Sequence, residues 1–171
     1  MNERQVNLLT KLAGVALLAA SLCSAQADEQ VRVALPAPSF ELKDLSGQLV
    51  RNTNFNNKAL IVFFWISSDE PCRSQLPALV ELQKKFDDKE FSVVGIALDP
   101  SGAQAVKPFI EQQKLTFPVL IADYKVVQDF GGLNAVPTSF VIDKNRNIIH
   151  KYVGVIEKSV FEEDLKVILK K

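Results

Sequence analysis

The feature that most constrains the fold of this chain is a short apolar run from Ala59 to Trp65, which stops at Ser67-Ser68-Asp69-Glu70-Pro71. A run of this length, rich in β-branched and aromatic residues, is typical of a strand buried on both faces of a sheet. Asp69 is a favourable helix N-cap residue, and a proline is tolerated in the first helical turn. The pattern therefore predicts a central strand followed by a helix that begins near Glu70.

Cys72 lies in the first turn of that predicted helix. Backbone N–H groups and the positive end of the helix dipole stabilise a thiolate there, so thiol chemistry is commonly placed at such a position. Cys72 precedes Leu76 by one helical turn, and Leu76, Leu79 and Leu82 form an apolar stripe. We therefore expect Cys72 to point towards the buried side of the helix.

This junction resembles the periplasmic thioredoxin-like thiol–disulfide oxidoreductases of the TlpA/ResA type, which belong to the redoxin (AhpC/TSA) superfamily. Their motif reads Trp-x-x-x-Cys-Glu-Pro-Cys with a later proline, and the matching positions here are Trp65, Asp69, Glu70, Pro71, Cys72 and Pro77. The resemblance implies that Asp69 stands where the family has its first, nucleophilic cysteine. It also implies that Gln75 stands where the family often has a buried glutamate that assists proton transfer.

A second match is Val136-Pro137-Thr138, which resembles the family loop in which a cis proline faces the redox motif. Only about 5–6% of X–Pro bonds are cis, so the expectation of a cis bond rests on the resemblance. In the family, the backbone before this proline pairs with an extended substrate peptide. The resemblance therefore implies a peptide-binding face, whose candidate residues are Glu70, Pro71, Val136, Pro137 and Trp65, with Tyr124 as a further candidate. Core packing is the alternative role for Trp65.

Two roles are open for each residue that could carry chemistry. We interpret Asp69 as an N-cap that accepts a hydrogen bond from the Cys72 amide, and the alternative is a general base acting beside Cys72. Cys72 is either a small apolar core residue or a reactive nucleophile, as in peroxiredoxins. The peroxiredoxin motif Pro-x-x-x-Thr-x-x-Cys would need Pro at 65 and Thr at 69, where this chain has Trp65 and Asp69.

The first 27 residues have the pattern of a secretory signal. Basic residues precede an apolar run over residues 12–22, and Ala25-Gln26-Ala27 follows as a cleavage site. The run is too short to remain as a membrane-spanning helix, so we expect export to the periplasm with cleavage after Ala27. A lipoprotein anchored through Cys23 is the alternative, which the bulky Leu22 disfavours.

The remaining chain divides into a mobile mature terminus over residues 28–37 and one domain over residues 38–171. A hairpin over residues 40–50 comes first, and strands and helices then alternate. Predicted strands cover residues 59–65, 91–98, 117–121, 138–142 and 148–153; predicted helices cover 70–86, 103–114, 124–130 and 157–169, with a break or start near Pro108. The fold class is therefore α/β, a thioredoxin-like three-layer α/β/α sandwich with an N-terminal β-hairpin, which we expect to be a monomer.

Composition excludes several other functions. Basic and acidic residues number 20 each, without a basic block, so nucleic-acid binding has no support. His150 is the only histidine, which we expect at the surface, and a metal site is equally poorly supplied. Cleavage would remove Cys23 and leave Cys72 without a disulfide partner in the chain. We expect no cofactor.

These observations favour an exported thioredoxin-like protein of the thiol–disulfide oxidoreductase family with impaired dithiol chemistry, since Asp69 stands in the place of a cysteine. It would engage periplasmic protein thiols or peptides at a face formed by Cys72 and Pro137. One alternative is a one-cysteine thiol peroxidase or mixed-disulfide enzyme that uses Cys72. Another is a non-catalytic interaction module of the cell envelope.

Overall fold

One mixed β-sheet organises the part of the chain that the computed structural model describes, which is residues 35–86 and 90–170. The strands are β1 (Leu35–Pro36), β2 (Glu41–Asp44), β3 (Leu49–Arg51), β4 (Ala59–Trp65), β5 (Phe91–Ala97), β6 (Val119–Ile121), β7 (Thr138–Ile142) and β8 (Asn147–Val153). Their spatial order in the sheet is β1-β8-β7-β4-β5-β6-β2-β3. The predicted leader over residues 1–27 lies outside the described residues.

The helices follow the predicted positions closely. They are α1 (Glu70–Lys85), α2 (Ala103–Gln113), α3 (Tyr124–Asp129) and α4 (Lys158–Leu169), together with a 3-10 helix at Asn52–Phe55. The expected break near Pro108 is wrong, because α2 is continuous through this residue. Pro108 is the sixth residue of α2, so its missing N–H removes one helical hydrogen bond without ending the helix.

Strand β4 lies at the centre of the sheet, parallel to β5 and antiparallel to β7. All its side chains are buried. Alternate residues of a strand point to opposite faces, so Ile61, Phe63 and Trp65 enter one core while Val62 and Phe64 enter another. A continuous apolar run is therefore required here, as the sequence predicts.

Helices cover both faces of the sheet. The first core receives α1 and α4, through Leu76, Leu79 and Leu82 on α1 and Phe161 and Leu165 on α4. The second core receives residues from α3 and from the 3-10 helix, at Val126 and Phe55 respectively. This arrangement confirms the predicted three-layer α/β/α sandwich.

The two ends of the sheet are formed by segments near the beginning of the domain. The β2–β3 hairpin joins the sheet through β2, which pairs antiparallel with β6. At the other end, Leu35 and Pro36 pair with Ile148 and Asn147 of β8. The predicted terminal segment 28–37 therefore includes a paired strand, and its residues 28–34 lie outside the described part. No helix in the described ranges has the length and apolar character needed to span a membrane.

Candidate functional site

The site is built around the N-terminus of α1. Asp69 is the N-cap residue with an extended backbone, and its Oδ2 accepts a hydrogen bond from the Cys72 amide at 3.0 Å. Pro71 lies in the first turn, where its missing N–H costs no helical hydrogen bond. Glu70 forms an exposed ion pair with Arg73. The interpretation of Asp69 as an N-cap is confirmed by this geometry.

The Cys72 thiol is completely buried and belongs to the first core. Burial raises its pKa to about 12, and the neighbouring carboxylates of Asp69 and Asp99 act in the same direction, while a hydrogen bond from the Ile66 backbone opposes them. The hydrogen bond with the Cys72 side chain also lowers the pKa of Asp69. Burial and the carboxylates therefore outweigh the helix dipole at this position. The thiol stays protonated, and a protonated thiol is a poor nucleophile.

Asp99 is a member of the site that the sequence analysis does not single out. It follows β5, is 8% exposed, and accepts hydrogen bonds from the Ser67 amide at 3.1 and 3.2 Å and from the Ser67 hydroxyl at 2.6 Å. Since β4 and β5 are parallel and end together, polar residues just after both strands meet at one edge of the sheet. That signal, Asp99 following an apolar strand, is present in the sequence.

The side chain of Gln75 connects α1 to the loop between β8 and α4. The side chain is 1% exposed; its Nε2 donates to the Ile156 carbonyl at 3.0 Å and its Oε1 accepts from the Ile156 amide at 2.6 Å. Both ends of the amide are therefore used, on one residue of the loop between β8 and α4. A glutamate here could offer the same two bonds only when protonated, because an ionised carboxylate has no donor.

The Val136–Pro137 peptide bond is cis, as the resemblance implies. Pro137 is buried, Val136 is half-buried against the first core, and Ala135 is exposed. The Pro137 carbonyl accepts a hydrogen bond from Gly154 at 2.8 Å. Because Ile156 lies two residues further on and is bonded to Gln75, the segment 154–156 connects the Pro137 loop to the helix that carries Cys72.

The structure distinguishes the other predicted site residues by exposure. Glu70 and Pro71 are exposed beside Cys72, and Tyr124 is 80% exposed at the start of α3. The suggestion that Trp65 lines a peptide groove is wrong, because its side chain has no exposed surface and packs against Phe63 and Phe109. A strand buried on both faces leaves the indole no route to solvent, which is the core role considered above.

A histidine–carboxylate contact and a cavity are further features of the structure, and neither includes Cys72. His150 is partly exposed with Nδ1 2.9 Å from an Asp164 oxygen, and the other Asp164 oxygen accepts from the Tyr152 hydroxyl at 2.9 Å. A cavity of about 650 Å³ is lined by the β2–β3 hairpin, the β6 end and the start of α2, and Cys72 does not line it. No cluster of three potential metal ligands occurs within the described ranges.

Comparison with known proteins gives one consistent result. The model of the AhpC/TSA family matches residues 33–151. The thiol-disulfide oxidoreductase ResA of Bacillus thuringiensis subsp. konkukian is 32% identical over 139 residues, covering 81% of this chain and 80% of that protein. The thioredoxin-like protein YneN of Bacillus subtilis is 31% identical, covering 75% of this chain and 76% of that protein.

Solved structures agree with these sequence matches. A thiol:disulfide interchange protein of the thioredoxin family from Chlorobium tepidum superposes with a TM-score of 0.73 at 33% identity, covering 80% of this chain and 97% of that structure. A putative thiol:disulfide interchange protein DsbE from the same organism gives 0.73 at 27% identity, covering 80% and 96% respectively. The chain therefore belongs to the AhpC/TSA family, as a thioredoxin-fold member of its thiol–disulfide oxidoreductases.

Proposed function

We propose that this chain is an exported thioredoxin-like protein whose dithiol chemistry is impaired and whose Cys72–Pro137 face engages periplasmic peptides or protein thiols. The observation that carries the proposal is the state of Cys72, a buried thiol with a pKa raised to about 12 and a carboxylate as its neighbour at the helix N-cap. A thiol–disulfide exchange cycle needs a thiolate to attack and a second thiol to release the mixed disulfide. Asp69 can perform neither step.

The same observation disfavours the one-cysteine enzyme. A peroxidatic or mixed-disulfide cysteine must be reachable and ionised, and Cys72 has no exposed surface. The carboxylate of Asp69 opposes ionisation further. We therefore place the function of this face in binding and keep the Cys72-dependent enzyme as an outcome of the tests.

Binding is supported by the surface beside the Pro137 loop. Val153 is 58% exposed and Val155 is 52% exposed, and Gly154 between them is bonded to the Pro137 carbonyl. Exposed apolar side chains beside a backbone segment suit an extended peptide with apolar residues, which gains affinity from main-chain pairing and from side-chain contacts. Val136, half-buried at the same loop, would provide that main-chain segment.

Export rests on the leader pattern, which is independent of the described residues. Mass analysis of the protein secreted from a bacterial host tests it: we expect a mature chain that begins at Asp28. A product that retains Met1, or one that carries lipid on Cys23, would contradict the proposal.

Loss of dithiol chemistry is tested by dithiol-coupled reduction of insulin. We expect no turnover above the uncatalysed rate for the native chain, because one buried thiol cannot complete the cycle. Turnover that disappears in Cys72→Ala would establish the one-cysteine enzyme. Turnover that persists in Cys72→Ala would contradict the redox assignment of the site.

Restoring the missing cysteine tests the position of Asp69. A cysteine at the N-cap and one in the first turn lie within the Cα separation that a disulfide requires, so Asp69→Cys should form a bridge with Cys72 under mild oxidant. The new thiol would lie at the positive end of the dipole and some reductase activity should appear. Two free thiols in a folded, oxidant-treated variant would show that Asp69 does not occupy the family's cysteine position.

Peptide binding is tested by titration with the carboxymethylated B chain of insulin, an extended peptide without a free thiol. We expect Val155→Lys to raise the Kd about tenfold, which corresponds to a loss of about 1.4 kcal/mol of binding free energy. Val167→Lys is the matched control, because Val167 is 60% exposed on α4. Absence of binding, or equal loss in both variants, would favour a different role for this face.

A further inference from the structure

The loop between β4 and α1 lies beside Cys72. The backbone of its first residue, Ile66, acts to lower the pKa of the thiol, and the side chain of its last, Asp69, accepts a hydrogen bond from the Cys72 amide. The loop therefore lies next to Cys72 and places a carboxylate beside it.

One side chain from outside the loop holds its middle. Asp99 accepts hydrogen bonds from the Ser67 amide and hydroxyl, across 32 residues of sequence. The backbone is tied next to it, since the Leu98 amide donates to the Trp65 carbonyl at 2.8 Å and the Gly102 amide donates to the Asp99 carbonyl at 2.8 Å. Asp99 is thus anchored on both sides while its carboxylate reaches over to Ser67.

The carboxylate in this contact is buried, which carries a desolvation cost. Asp99 is 8% exposed, and none of the ion pairs found in residues 35–86 and 90–170 includes it. Burying a charged group against neutral donors costs more free energy than burying a neutral side chain of similar shape. Charge-assisted hydrogen bonds to Ser67 compensate that cost, and they are stronger than neutral ones. Each bond from Ser67 to Asp99 is therefore stronger than the same bond to a neutral acceptor would be.

We propose that Asp99 is a positioning residue of the Cys72 site: by holding Ser67 it keeps the segment from Ile66 to Asp69 closed over the thiol. This inference rests on the proposed function in taking Cys72 as the group that a partner would reach. It assigns control of access to the Asp99–Ser67 contact. Opening of this contact exposes the thiol without unfolding the domain.

The charges that face Cys72 are consistent with this assignment. The carboxylates of Asp69 and Asp99 both act on the thiol, and Arg73 acts on Asp69 while it is paired with Glu70. Gln75, one turn along α1, is neutral and bonded to Ile156. Removing Asp99 would thus loosen the loop and also remove one of the two negative charges that keep the thiol protonated.

The test is the rate at which iodoacetamide alkylates Cys72 in the folded full chain, followed by mass spectrometry of the peptide that contains it. We expect Asp99→Ala to react at least about tenfold faster than the native protein, because local opening becomes easier. Ser67→Ala should show a smaller increase, since the amide contact to Asp99 remains. Asp99→Asn keeps an acceptor but loses the charge, so it should also shift the pH profile of alkylation to lower pH.

Asp123→Ala is the matched control. Asp123 accepts from the Val126 amide at 2.7 Å as the N-cap of α3, so the variant loses a contact between a carboxylate and a backbone amide at a helix that does not carry Cys72. Its alkylation rate should stay within about twofold of the native value after correction for global stability measured in urea. Such a correction separates local opening from unfolding.

The inference is overturned if Asp99→Ala reacts at the native rate. It is also overturned if the acceleration is no larger than the increase in unfolded population that the loss of global stability predicts. Should Asp99→Ala fail to fold, Ser67→Ala and Asp99→Asn decide by the same two criteria. The outcome is independent of peptide binding: a protein that fails the insulin B-chain titration but shows this acceleration retains the inference and loses the peptide part of the proposed function.

Discussion

At the scale of single residues, the environment of Cys72 determines what the site can do. The same helix position that favours a thiolate in solvent holds a protonated thiol here, because the side chain is buried and Asp69 lies beside it. Desolvation disfavours the charged form, and a nearby carboxylate adds to the effect. Chemistry at this position is therefore decided by burial and charge more than by the helix dipole.

The raised pKa of Cys72 predicts how stability depends on alkaline pH. The folded protein keeps this proton up to about pH 12, whereas the unfolded chain loses it above the ordinary value of 9.0. The unfolded state then binds fewer protons, so the free energy of unfolding should fall as pH rises from 9 towards 12. Each pH unit contributes at most about 1.4 kcal/mol for one proton.

Urea unfolding of the native chain and Cys72→Ala across this pH range measures the effect. Tyr152, whose pKa is also raised to about 12, is present in both proteins and cancels in the comparison. We expect the stability difference between the two proteins to shrink with pH. A difference that stays constant would show that the thiol ionises normally in the fold.

Gln75 gives a second prediction at this scale. Gln75→Glu should be destabilising near neutral pH, because an ionised carboxylate would face the Ile156 carbonyl. Burial would raise the pKa of the introduced glutamate above its value near 4.3 in the unfolded chain. The free energy of unfolding of the variant should therefore be highest below about pH 4.3 and fall as pH rises. Urea unfolding at pH 4 and pH 7 should therefore differ more for this variant than for the native chain, by about 1–3 kcal/mol. Equal pH dependence would contradict the pairing of both amide ends.

At the scale of elements, close contact between β4 and β5 leaves no spare volume beside Trp65. Gly95 lies in β5, and a Cβ there would come within 3.2 Å of Trp65 Nε1 and of Phe117 Cε2. Neither neighbour is the flexible end of a side chain. An added Cβ at this position would therefore require Trp65 or Phe117 to move by a few tenths of an ångström, although the backbone conformation of Gly95 is ordinary.

Gly95→Ala should destabilise the protein by about 1–3 kcal/mol, the usual cost of overpacking a core. Trp65 is the only tryptophan in the chain, so its fluorescence should report the displacement directly. Gly47→Ala, at a site with open space but a φ of 89°, provides the contrasting variant: it should cost stability through backbone strain while leaving the Trp65 spectrum unchanged. An unaltered spectrum in Gly95→Ala would contradict the packing.

At the scale of the whole molecule, the two cores share one sheet. Consecutive residues of β4 point to opposite faces of the sheet and therefore belong to different cores. If one core unfolds, β4 loses its packing on that face, and the other core loses a strand that it needs. Leu79→Ala in the first core and Val62→Ala in the second should therefore both lower the midpoint of one common unfolding transition. Removing buried methyl groups typically costs about 1–5 kcal/mol.

Trp65 fluorescence and far-UV circular dichroism provide the measurement, because they report one core and the secondary structure respectively. The two probes should coincide in the native chain and in both variants. Val167→Ala, at an exposed site on α4, should change the midpoint little. Separate transitions for the two probes would show that the cores unfold independently.

Patterns of neighbouring residues are enough to predict the strands from β2 to β8, the four α-helices and the junction between β4 and α1, but they do not predict β1. Apolar periodicity marks β4, α1 and α4, and the capping role of Asp69 follows from residue types within a few positions of one another. Such local patterns depend on backbone geometry that each segment carries on its own. The domain boundary at residue 38 stays a prediction, as do the leader over residues 1–27 and the binding role of the predicted site residues.

Tertiary packing brings distant residues together around Cys72. Asp99 reaches Ser67 because two parallel strands end at one edge, and Gln75 binds Ile156 because α1 lies beside the loop that precedes α4. A local pattern alone does not give either contact, since each joins residues far apart in the chain. The burial that raises the pKa of the Cys72 thiol is likewise a property of the assembled core. Motif and secondary structure can be inferred from neighbours in sequence, whereas the chemistry of the site follows from neighbours in space.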